Sequence, residues 1–121
     1  MINIEAVLEE DGTLRACRAS GHAGYRKVFR VLKKIFRQKQ SSDIVCAAVS
    51  VLMRTAYLTL SNRQGIILRS GAPEKGQMWL EADYEAEGKD FLLACGIFLI
   101  NGLMSVAQEY PKNCKINIRR I

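Results

Sequence analysis

A single histidine, His22, and four scattered cysteines, Cys17, Cys46, Cys95 and Cys114, are the only imidazole and thiolate metal ligands in this chain of 121 residues. No two cysteines stand in a CxxC spacing and one imidazole cannot complete a Cys/His set, so neither a bound metal nor any other cofactor is expected. Cys46 has no cysteine close in sequence to resolve an oxidised sulfur, which argues against a thiol switch. Long apolar runs are also missing. The most apolar stretches, residues 44–53 and 91–100, fall short of the roughly 20 residues a bilayer crossing needs. The first ten residues carry Glu5, Glu9 and Glu10 and lack the basic start and apolar core of a signal peptide, so the expectation is a cytoplasmic protein with reduced thiols and no membrane. There is no internal repeat or low-complexity tract. With 49% hydrophobic and 25% charged residues, the chain has the composition to fold as a single domain over residues 1–121.

Acidic residues are absent from one long stretch. Arg26, Lys27, Arg30, Lys33, Lys34, Arg37 and Lys39 fall together with no carboxylate among them. Taking those seven from the 18 basic residues leaves 11 against 12 acidic ones, so the formal charge of +6 belongs to this segment and not to the rest of the chain.

Ile2, Ile4, Ala6 and Leu8 alternate with Asn3, Glu5, Val7 and Glu9, the period of a half-buried strand. Asp11-Gly12 supplies a hairpin turn, and residues 13–19 form the returning strand. Residues 20–24, Ser-Gly-His-Ala-Gly, make a loop in which Gly21 and Gly24 permit backbone conformations closed to other residues, with His22 between them. Over residues 25–40, Val28, Phe29, Leu32, Ile35 and Phe36 recur at helical spacing, so the basic insertion at 26–40 reads as an amphipathic helix. Ser41-Ser42-Asp43 is a helix-start signal, and residues 44–60 are apolar on nearly all sides, as a central helix would be. Residues 66–69 and 77–84 give a second hairpin, residues 89–110 a second helix halted by Pro111, and Cys114, Ile116 and Ile118 a closing strand. The order predicts an α+β fold: a mixed sheet with two main helices packed on it, hairpin-rich, with the basic helical insertion between the first hairpin and the first main helix.

A thiol becomes a useful nucleophile where its thiolate is favoured, as at a helix N-terminus or beside an imidazolium. Capped by Asp43 or Ser42, a helix would hold Cys46 in its first turn, where free N–H groups also suit an oxyanion. His22 is the only side chain whose ordinary pKa lies near neutrality, and its glycine loop could lay it beside that helix start. On spacing alone the bland alternative stands beside this one: a surface histidine and a core cysteine.

Two strings add to the residue chemistry. Residues 21–25, Gly-His-Ala-Gly-Tyr, and residues 43–52, Asp-Ile-Val-Cys-Ala-Ala-Val-Ser-Val-Leu, resemble the signature segments of the ribosomal-processing cysteine protease family, and the likeness runs along nearly the whole chain. In that family the histidine of the first segment and the cysteine of the second are the catalytic pair, which here implies His22 and Cys46. The resemblance further implies a homodimer and a peptide substrate. That substrate would be the precursor of a large-subunit ribosomal protein, the twenty-seventh by the usual numbering, losing its N-terminal extension after paired phenylalanines.

This sequence departs from the family pattern between the two segments. Ser41 stands where a glycine is usual, and the link is longer by roughly a dozen residues, a change in loop closure worth under about 1 kcal/mol. The linker is where a substrate-ordered lid would lie, and Leu32 and Phe36 on its apolar stripe are expected to receive apolar side chains of the cleaved strand. Asp43 has two readings, a helix cap or a third catalytic member that orients His22, and the cap is favoured. Ser50, one turn beyond Cys46, reads as a packing and hydrogen-bonding residue under the site, and Cys17, Cys95 and Cys114 read as structural. The rival function is a non-catalytic ribosome- or RNA-associated module whose 26–40 segment contacts ribosomal RNA phosphates.

Overall fold

A computed structural model describes residues 1–21, 38–72 and 76–121, without the side chains of 38–42. The helix expected over the basic insertion therefore falls outside the described residues, apart from the backbone at its C-terminal end. Strand β1, Ile2–Leu8, turns through Asp11-Gly12 into β2, Leu14–Ser20, as the alternating pattern predicts. The turn is tied by Asp11, whose carboxylate accepts from the Thr13 N–H at 2.9 Å and from the Thr13 hydroxyl at 2.7 Å. These bonds, with Lys89 at 3.1 Å, hold the Asp11 carboxyl at about 2, well below its ordinary 3.8.

Helix α1, Gln38–Leu60, is followed by β3, Ile66–Gly71, and β4, Gln77–Tyr84. A short 3-10 turn, Ala86–Gly88, then leads into α2, Lys89–Glu109, and the chain closes on β5, Cys114–Arg120. The five strands order as β3-β4-β2-β1-β5, antiparallel except for the parallel pair of β1 with β5. This is the α+β sandwich that the element order implies.

Both helices lie on one face of the sheet, α1 over β3 and β4 and α2 over β5 and β2, and they pack on each other. The core forms where the inward row of β1, Ile2, Ile4, Ala6 and Leu8, meets Val45, Val49, Met53 and Leu60 of α1 and Leu92, Leu99 and Leu103 of α2. Burying such side chains stabilises by about 1.5–3 kcal/mol each, which fixes which face of each helix turns inward. By length and composition the segments Asp43–Leu60 and Ala86–Glu109 would each be sufficient to cross a membrane. The short apolar runs of the sequence understate this, because helical hydrophobicity accumulates across interruptions that a run-length count treats as breaks.

The start of α1 is a second difference from expectation. The helix already includes Gln38, ahead of Ser41-Ser42-Asp43, so Asp43 lies inside it and is not its N-cap. Adding a turn to an existing helix gains a hydrogen bond per residue fixed, whereas a cap signal carries only about 1 kcal/mol, so a local start signal does not stop a helix that is already nucleated.

Candidate active site

Cys46 sits on α1 between the buried Val45 and Val49 on one side and the exposed Asp43 and Ala47 on the other. Its side chain is half-buried and packs against the edge of the core. Ser50, one turn on, is half-buried on the same side of the helix. Since α1 already includes Gln38, Cys46 lies beyond the first turn, and the expected free N–H groups of a first turn are not what surrounds it.

Topology places Cys46 at one end of the sheet. Leu60 leads through Asn62 and Gly65, both at positive φ, into β3, whose first residue Ile66 pairs with Tyr84 at the far end of β4. Cys46 precedes Leu60 by fourteen residues, about 21 Å of helix at a rise of 1.5 Å. A seven-residue strand spans about 23 Å, so the thiol lies near the opposite end, where β2 finishes at Ser20 and the chain leaves through Gly21. His22 follows directly but lies outside the described residues, as do Gly24, Leu32 and Phe36.

Gly21 itself is tightly specified. It has φ +92°, and a Cβ built on it would come within 2.2 Å of the Met1 carbonyl oxygen. The chain leaving β2, just ahead of His22, is thus pressed against the start of β1, a constraint that no local sequence pattern displays.

The other three cysteines differ from Cys46 in setting. Cys17 is buried with its sulfur 3.7 Å from that of Met53, and burial pushes its thiol up to about 12. Burial also raises Cys95 and Cys114 above their ordinary value. These thiols are held in the protonated, unreactive form, as the structural reading expects. Among the described residues no cluster of histidine, cysteine and carboxylate side chains gathers as a metal site.

The comparisons with known proteins follow the same fold. The S. aureus ribosomal processing protease Prp in complex with a covalently linked product peptide matches with a TM-score of 0.71 and 16% identity over 98% of this chain and 100% of that one. The same protease in complex with a substrate peptide matches with a TM-score of 0.73 at 15% identity, again over 98% and 100%. A Streptococcus mutans protein matches with a TM-score of 0.69 and 21% identity over 100% of this chain and 96% of that one. No curated protein matches the chain. A family profile described as cysteine protease Prp matches residues 1–115, a span that includes both signature strings and all of α1 and α2, and on that match the chain belongs to the cysteine protease Prp family.

Proposed function

We propose that this protein removes the N-terminal extension from the precursor of a large-subunit ribosomal protein, with Cys46 as nucleophile and His22 as its base. The observation that carries the reading is the Prp profile match across both signature strings, taken with the position of Cys46 at the end of the sheet from which the His22 loop departs. The solved Prp complexes with substrate and product peptides support a peptide substrate of this kind.

In the proposed reaction His22 takes the Cys46 proton as the sulfur attacks the scissile carbonyl. The tetrahedral intermediate collapses with transfer of that proton to the leaving amine, and water then releases the acyl group from sulfur with His22 again as base. Asp43, being exposed inside α1, serves in this reading as a polar neighbour of the site rather than its cap. The proposed setting is the cytoplasm, where free thiols persist.

A homodimer belongs to the same reading. Ile44, Val51 and Leu58 are each more than half exposed and recur at heptad spacing on α1, while on α2 Ile97 stands exposed beside Phe98, which is 73% exposed. Two copies packing these stripes together would take their exposed apolar side chains out of water. Leu58→Ser with Phe98→Ser should shift sedimentation toward monomer without loss of helical signal. An unchanged sedimentation coefficient would rule out this face.

Incubating the purified protein with a peptide spanning the precursor junction tests the function. Cleavage after the paired phenylalanines is expected, and its loss in both Cys46→Ala and His22→Ala. Wild-type cleavage by either variant would overturn the dyad, and no cleavage by the parent protein would overturn the substrate.

A further inference from the structure

β5 is an edge strand, and its hydrogen-bonding direction can be read from its ends. The Asn113 carbonyl accepts from the Ile2 N–H and the Ile121 N–H donates to the Leu8 carbonyl, so odd-numbered residues direct their backbone groups to β1. In a parallel ladder the even-numbered residues Ile116, Ile118 and Arg120 therefore direct both N–H and C=O away from the sheet.

The side chains divide just as clearly. Ile116 and Ile118 pair with Ile4 and Ala6 and share their inward face, whereas Lys115 and Arg119 pair with Asn3 and Val7 on the outward face. Beneath the inward side runs an open, mainly apolar groove between β5 and the last turns of α2, lined by Met1, Ala107, Pro111 and Ile116 with Gln108 and part of Lys115 also on its wall. On the outward side Lys115 and Arg119 are exposed and have no carboxylate partner among the described residues. Glu5 is the nearest outward acid by register, one strand inward opposite Asn117, and Arg18 opposes it on β2.

We propose that this edge takes up an extended acidic peptide as a sixth strand, its apolar side chains entering the groove and its alternate acidic side chains meeting Lys115 and Arg119. Charge decides the occupant. A second copy of β5 would set Lys115 and Arg119 against like charges, which destabilises cross-strand pairs, whereas carboxylates at those positions are favoured. Strand addition of this kind draws affinity from main-chain hydrogen bonds and selectivity from alternate side chains. The opposite flank of the sheet, β3 and β4, lies under α1 and Cys46, so the edge serves as a docking surface independent of the dyad.

The test uses two fluorescein-labelled heptapeptides, one alternating Glu with Val and one alternating Lys with Val, titrated by anisotropy against the intact protein. Binding of the acidic peptide is expected, with no measurable binding of the basic one. Lys115→Glu combined with Arg119→Glu should weaken the acidic peptide by about tenfold and confer binding of the basic one. In parallel, amide hydrogen exchange should slow at Ile116, Ile118 and Arg120 on adding the acidic peptide. Equal binding of both peptides, or binding without protection of those three amides, overturns the proposal. Failure of the acidic peptide to bind overturns it as well, and leaves the basic edge as a guard against sheet-to-sheet association. Protection that rises with protein concentration in the absence of peptide would assign the edge to a second copy and also overturn it.

Discussion

Replacing Gly21 by alanine perturbs the one backbone position that joins the sheet to the histidine loop. Two costs arise and can be separated. An L-residue at φ +92° sits in the left-handed region, at a cost of about 1–2 kcal/mol. The new methyl group also meets the Met1 carbonyl oxygen at 2.2 Å, and because that atom is backbone it cannot rotate aside. Forcing such a shift costs about 1–3 kcal/mol, so the substitution should lose about 2–5 kcal/mol in all. Gly12→Ala isolates the first cost, since Gly12 has φ +97° but only a Leu93 methyl at 3.8 Å. Gly88→Ala isolates the second, since its φ is −97° while the Gly65 carbonyl oxygen lies 2.2 Å from the added carbon. Urea unfolding followed by the lone tryptophan, Trp79 on β4, reads all three variants. Gly21→Ala should be the least stable, near the sum of the other two losses. Because His22 is the next residue, peptide cleavage at a urea-free, fully folded condition should fall as well. If Gly21→Ala loses no more stability than Gly12→Ala, the contact with Met1 is not a constraint, and the account of the loop exit fails.

Two further expectations follow from the buried thiols and from the Asp11 turn. In native protein iodoacetamide should label Cys46 before Cys17, Cys95 and Cys114, because burial keeps those three protonated, with Cys17 held up to about 12. Mass spectrometry of partly labelled protein reads the order, and early labelling of Cys17 would contradict its burial. The depressed Asp11 carboxyl contributes stability at pH values above its ordinary 3.8, and that contribution is lost as pH falls toward about 2. Asp11→Asn should therefore flatten the decline of stability between pH 4 and 2, and superimposable acid limbs for variant and wild type would exclude the linkage.

Local pattern alone determined most of the elements. The alternation of Ile2, Ile4, Ala6 and Leu8 marked β1 because a strand turns successive side chains to opposite faces, and Asp11-Gly12 marked the hairpin because few other residues adopt its backbone. Pro111 closed α2 within a residue of its observed end, since a proline cannot continue the helical hydrogen bonds. The segment around Cys46 was legible for a different reason, its resemblance to a family signature string, which the family match then covered. What the sequence could not reveal is whatever depends on residues far apart in the chain. The parallel pairing of β5 with β1 joins segments separated by more than a hundred residues, and it creates both the free edge and the groove beneath it. The pressure of Gly21 on Met1 arises only after β1 and β2 are paired, because no residue near Gly21 in sequence supplies the opposing atom. That α1 extends ahead of Ser41-Ser42-Asp43 also escaped the local signal, since those residues can cap a helix but have too little energy to end one that extends past them. Local side-chain preferences thus chose the elements, and the burial of their apolar faces against distant partners chose how they meet.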